Sequence, residues 1–141
     1  MSKANLDNIL DHIIAAFREQ YPNYTIGDYD ELEEDGHVTT PAIFLQLMNF
    51  EDASNNFNGM FRANCTFRAY VCESFKGQAK RKVRKSALDI AYFIDKNNWN
   101  VQNGIFNRAK FSYAEPDNFN EKIQSCEVWL IEWTQEIFIQ K

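Results

Sequence analysis

From Phe61 to Val71 the chain alternates without a break: Phe61, Ala63, Cys65, Phe67, Ala69 and Val71 against Arg62, Asn64, Thr66, Arg68 and Tyr70. Side chains on a strand point to opposite faces with a period of two, so the run specifies a strand with one dry and one wet face. A strand of that kind must sit in a sheet, and its dry side must be covered by another layer. Two more segments suit the sheet. Residues 38 to 50, VTTPAIFLQLMNF, put Ile43, Leu45 and Leu47 on one side and Phe44, Met48 and Phe50 on the other, with Pro41 at the beginning or on an edge. The closing stretch from 123 to 138 has Trp129, Ile131 and Trp133 on one face and Val128 and Leu130 on the other.

Helical periodicity supplies the covering layer. Between residues 4 and 20, Leu6, Ile9, Leu10, Ile13 and Phe17 recur every three or four positions, and Pro22 stops the pattern. Between 77 and 98, Ala79, Val83, Ala87, Ile90, Ala91 and Ile94 form one stripe of a helix that would span roughly 30 Å. A short edge strand is expected from 24 to 32, entering an acidic turn of Asp28, Asp30, Glu31, Glu33, Glu34 and Asp35 before Gly36. Another short strand, 105 to 113, follows an Asn-rich loop and precedes a break at Pro116 and Asp117. The expected order is α-β-β-β-α-β-β: an α+β fold with a mainly antiparallel sheet of about four to five strands and two helices on one face. At 141 residues, 45% of them hydrophobic, the chain suits one domain with a real core.

A formal net charge of -5 opposes general affinity for polyphosphate. The opening MSKANLDNIL has no signal-peptide design, and no apolar run approaches membrane-spanning length, so an intracellular protein without a membrane partner is expected. Cys65, Cys72 and Cys126 lack CxxC spacing, and the first two fall on opposite faces of a strand, which argues against a disulfide framework. His12 and His37 stand outside any metal-binding context, and no GxSxG, Walker or GxGxxG motif occurs. Paired carboxylates, Glu33 with Glu34 and Glu132 with Glu136, read as solvation, and Trp129, Trp133 and Tyr70 read as core rather than base-stacking platforms. No enzyme, metal or cofactor is expected.

What remains is the stretch KRKVRKSALDIAYFID, 80 to 95. Away from the core stripe, Arg81, Arg84, Lys85, Leu88 and Tyr92 form one ridge in which cations grade into apolar groups. A mixed Arg, Tyr and aliphatic surface suits a protein interface. Two alternatives stay open: solvation of the helix with Leu88 packed under a loop, and phosphate contact through Lys80, Arg81, Lys82, Arg84 and Lys85, as in a small nucleic-acid-binding module. The acidic turn has no cation and the basic run no anion, so Asp30, Glu31, Glu33 and Glu34 could meet the ridge of another copy in trans.

The segments "TPAIFLQLMNFEDA", "CTFRAYVCES", "ALDIAYFIDKNNW" and "CEVWLIEWTQEIFI", in this element order, resemble the tail terminator (tail-completion) proteins of Mu-like tailed phages over nearly all of Leu6 to Phe138. The resemblance implies a virion protein, made in the host cytoplasm or from a prophage, that docks as a homo-oligomeric ring, commonly a hexamer, on the end of the tail tube. Its partners would be further copies of itself, the tube protein and the head-tail joining proteins, and it would work by shape, with no specific nucleic-acid binding and no catalytic residue.

Overall fold

The computed structural model describes residues 6–33, 37–52, 60–101 and 106–140, with the side chains of 6, 7, 60, 61, 139 and 140 left aside. Glu34, Asp35 and Gly36 of the acidic turn therefore lie outside the described residues, as do the core side chains expected of Leu6 and Phe61. The elements run α1 (Leu6–Gln20), β1 (Thr25–Asp28), a 3-10 turn (Tyr29–Glu31), β2 (Ala42–Asp52), β3 (Met60–Ser74), α2 (Ala79–Ile94), β4 (Lys110–Pro116) and β5 (Cys126–Gln140).

The strands form one five-stranded sheet in the order β1-β2-β3-β5-β4. Every pairing is antiparallel except β1 with β2, which is parallel, so the sheet is mixed. Parallel neighbours need a crossover. Here the chain dips beneath the sheet through Tyr29 and Val38, both buried, before it enters β2.

One face of the sheet carries the helices. Ile9, Ile13 and Phe17 of α1 and Val83, Ala87, Ile90 and Ile94 of α2 pack against Ile43, Leu45, Cys65, Phe67, Ala69, Val71, Ile131 and Trp133. These strand residues sit at alternate positions, which is the face that the sequence pattern selects. Beneath the sheet, Tyr29, Phe44, Tyr70, Cys72, Ile123, Cys126, Val128 and Leu130 form a second cluster. The face of β3 expected to be wet is thus dry at Tyr70 and Cys72, because the crossover and the loop before β5 cover it. Only its other half carries charge: Arg68 bonds Glu132 at 3.1 Å, and Arg62 pairs with Glu136. Cys65 and Cys72 do lie in different clusters, on opposite faces.

The strands expected over 38 to 50 and 123 to 138 run Ala42–Asp52 and Cys126–Gln140, and two further boundaries differ for a local reason. The second helix stops at Ile94, not near 98, and is about 24 Å long. Lys96 takes a φ of 66°, and Trp99 and Asn100 also have positive φ, so helical geometry cannot continue. Asn97 holds this turn, accepting from the Trp99 N–H at 2.7 Å and donating to the Phe93 carbonyl at 3.0 Å. The fourth strand begins at Lys110 rather than 105 and extends to Pro116. Ala109 is unavailable to the sheet, since its carbonyl accepts from Lys96 and its N–H donates to Asn97.

Candidate interaction groove

The ridge residues expected from the sequence converge on one place. Arg81, Arg84, Lys85, Leu88 and Tyr92 all line a groove of about 900 Å³ between α2 and the β4 side of the sheet. Ala87 and Ala91 of α2, Ala114 of β4 and Trp129 of β5 also line it, with Phe111 of β4 and with Asp95 and Lys96 at one end. The cause is local. Three alanines on facing elements fill too little of the seam, so the indole of Trp129 is only half-buried and becomes part of the floor.

Leu88 is 67% exposed and Tyr92 83% exposed, so neither is packed under a loop, and the solvation reading loses the contact that would have explained Leu88. Phe111 adds a third large apolar side chain, 40% exposed, from across the groove. Four cations and one carboxylate stand at its rim: Arg81, Arg84, Lys85 and Lys96 with Asp95. Asp95 Oδ1 accepts from the Phe111 N–H at 3.2 Å, which ties the end of α2 to β4 and fixes the groove's width. Lys80 and Lys82 are exposed on the same helix but do not line the groove.

Sequence reasoning missed Phe111, Ala114, Trp129 and Lys96. A signal was present in the alanines at 87 and 91 beside the outward Leu88 and Tyr92, since small residues on a buried stripe leave the neighbouring seam shallow. Trp129 was expected as core because it shares a face with Ile131 and Trp133; the small side chains of Ala87, Ala91 and Ala114 beside it leave it only half-buried.

The acidic residues lie elsewhere. Asp30, Glu31 and Glu33 are exposed in and just after the 3-10 turn, beneath the sheet on the β1 side. The Tyr29 ring stacks on Tyr70 with centroids 4.0 Å apart, and its hydroxyl donates to Asn120 at 3.0 Å. Asp28 accepts from the Asp30 N–H at 2.9 Å, Gln46 donates to the Asp30 carboxylate at 2.9 Å, and Lys122 donates to the carbonyls of Tyr29 and Asp30. Burial raises the Asp28 carboxyl, with the Asp30 N–H acting against that shift. The acidic turn and the groove therefore occupy opposite faces and opposite sides of the sheet and cannot meet within one chain.

A smaller hollow of about 460 Å³ lies where the end of β2, β3, β5 and the Asn107–Lys110 segment meet. Two of its polar groups serve the fold: Glu136 holds Arg62, and the Gln135 amide donates to the carbonyls of Asn97 and Asn107. Among the described residues no group of three His, Cys, Asp or Glu side chains is arranged to hold a metal ion, and no helix is long and apolar enough to cross a membrane. Comparison with known proteins found no matching family model and no matching curated sequence.

Proposed function

We propose that the protein is a structural assembly component, a tail terminator that forms a ring on the end of a phage tail tube, stops its growth and presents a surface for head joining. The observation that carries the reading is the convergence of Arg81, Arg84, Lys85, Leu88 and Tyr92 on one open apolar groove with a cationic rim. Apolar atoms there can supply contact energy, while exposed charges set register and encounter, since an exposed ion pair contributes only about 0 to 1 kcal/mol. The groove has rigid walls, a helix packed on the sheet and two hydrogen-bonded strands, which suits docking by shape. The sequence resemblance points the same way: of its quoted segments, those on α2 and β5 supply two of the three elements that line the groove, and those on β2 and β3 belong to the sheet beneath the helices.

Purified protein mixed with tail tubes tests the reading by light scattering and electron microscopy. Rings at tube ends and arrested elongation are expected. A protein that stays monomeric with tubes present and never occupies their ends would overturn it. A monomer without tubes is compatible, because the tube can act as the template that shifts association.

A further inference from the structure

We infer that the groove beside α2 receives the acidic turn of a second copy of this chain, so that Asp30, Glu31 and Glu33 of one molecule lie against Arg81, Arg84 and Lys85 of the next. The inference rests on the self-assembly reading above and specifies the contact that it leaves open.

Three observations choose this occupant. First, the groove cannot cover itself. A two-fold contact places the same patch on both partners, and four rim cations facing four rim cations repel. Second, the acidic turn is the complementary surface that the chain already displays, and its start is anchored: Tyr29 by Tyr70, Asn120 and Lys122, and Asp30 by Gln46 and Lys122. It lies on the opposite face and side of the sheet from the groove, and centres of the outer strands stand roughly 19 Å apart. Each molecule can then give its turn to one neighbour and its groove to another, a head-to-tail contact that closes into a ring if its rotation allows.

Third, α2 starts against its own electrostatics. Lys80, Arg81 and Lys82 occupy its first turn, no acidic residue does, and Gln78 provides no side-chain cap. The positive end of a helix dipole disfavours cations and favours anions. Carboxylates brought by a neighbour would relieve that arrangement, with Leu88, Tyr92 and Phe111 closing around the apolar part of the contact.

Charge reversal in pairs tests the inference. E31K/E33K puts cations in place of two carboxylates of the turn and leaves the cationic groove unchanged, and R84E/K85E puts carboxylates in place of two cations of the groove and leaves the acidic turn unchanged. Each variant alone should associate at least ten-fold more weakly than the wild type, by sedimentation at low salt and by occupancy of tube ends. Their equimolar mixture should recover association between unlike molecules, because the unchanged acidic turn of one variant then finds the unchanged cationic groove of the other. Circular dichroism checks that these exposed substitutions leave the fold intact. If the wild type associates and either variant does so equally well, or the mixture fails to recover, the docking is overturned while the ring reading stands. If only R84E/K85E loses tube-end binding, the groove takes a different acidic protein and the second-copy assignment is overturned. If the wild type neither self-associates nor binds tube ends, the ring reading falls and this contact with it.

Discussion

Trp99 Nε1 donates a 2.8 Å hydrogen bond to Oε1 of Gln135, joining the turn after α2 to β5. The same oxygen accepts from Trp133 Nε1 at 3.3 Å, and the Gln135 amide nitrogen donates to the carbonyls of Asn97 at 3.0 Å and Asn107 at 2.6 Å. Gln135 is 1% exposed, so one buried amide serves two indoles and two backbone segments. Gln135→Leu would keep volume and strand whilst removing the partner of both indoles and of the Asn107 carbonyl; the Asn97 carbonyl keeps the Ala109 N–H. Each buried polar group left alone costs about 1–3 kcal/mol, so a loss of about 4 kcal/mol is expected, read as a fall in the urea midpoint. A midpoint equal to that of the wild type would mean that water or a shifted side chain takes over these bonds.

Tyrosine ionisation should set the alkaline limit of stability. Burial pushes the Tyr29 hydroxyl up to about 12 from its ordinary 10.0, with Tyr70 adding to the rise, and burial also raises Tyr21 and Tyr70. A folded-state value above the unfolded one means that the unfolded chain releases its proton first. The contribution is fully present below pH 10 and is lost as pH climbs towards 12. Thermal unfolding followed at pH 9, 10 and 11 should show a steepening fall in Tm above pH 10 that parallels phenolate absorbance. Tyr29→Phe should flatten part of that fall.

Most of the scaffold was legible because periodicity reports burial, and burial here follows the sheet. The alternation through Cys65, Phe67 and Ala69 fixed the helix-facing side of β3, and Val83, Ala87, Ile90 and Ile94 the buried stripe of α2. What escaped depends on partners distant in sequence. The helical pattern runs on past Ile94, and only the αL turn at Lys96, fixed by Asn97 and Ala109, ends it. No alternation could reveal that β1 pairs in parallel, since direction is decided by the crossover under the sheet. The groove was half legible: its helical wall follows from the wheel of α2, whereas Phe111 and Trp129 join it only once β4 and β5 are set beside that helix.

The three thiols should differ in reactivity. Cys65 lies in the main core, where burial pushes it up to about 11. Cys72 and Cys126 share the lower cluster; hydrogen bonding between them raises Cys72, already buried, and lowers Cys126. The thiolate is the reactive form, so Cys126 should be alkylated first by iodoacetamide at pH 8, with Cys65 and Cys72 protected until the protein unfolds. Peptide mapping of the partly labelled protein checks the order, and equal labelling of all three would refute it.

Paired substitutions on α2 separate docking to protein from contact with phosphate. Leu88 and Tyr92 are exposed in the monomer, so changing both to Ser should leave stability within about 0.5 kcal/mol of the wild type. The same change removes the apolar contact that a protein partner would cover, each such side chain contributing about 1.5–3 kcal/mol when fully buried. Ring formation on tube ends should therefore fall by about a hundred-fold or more. Arg81→Gln with Arg84→Gln should weaken tube-end binding less, because rim charges act chiefly on encounter and register. Phosphate contact predicts another pattern: Leu88 and Tyr92 would hardly matter, while duplex binding would depend on Lys80, Arg81, Lys82, Arg84 and Lys85 and fall steeply with salt, by a log-log slope of about 0.9 per neutralised phosphate. Gel shifts at low salt with duplex and single strands decide between the two, and a salt-sensitive shift that survives the Ser pair but not the Gln pair would move α2 from a protein surface to a nucleic-acid one.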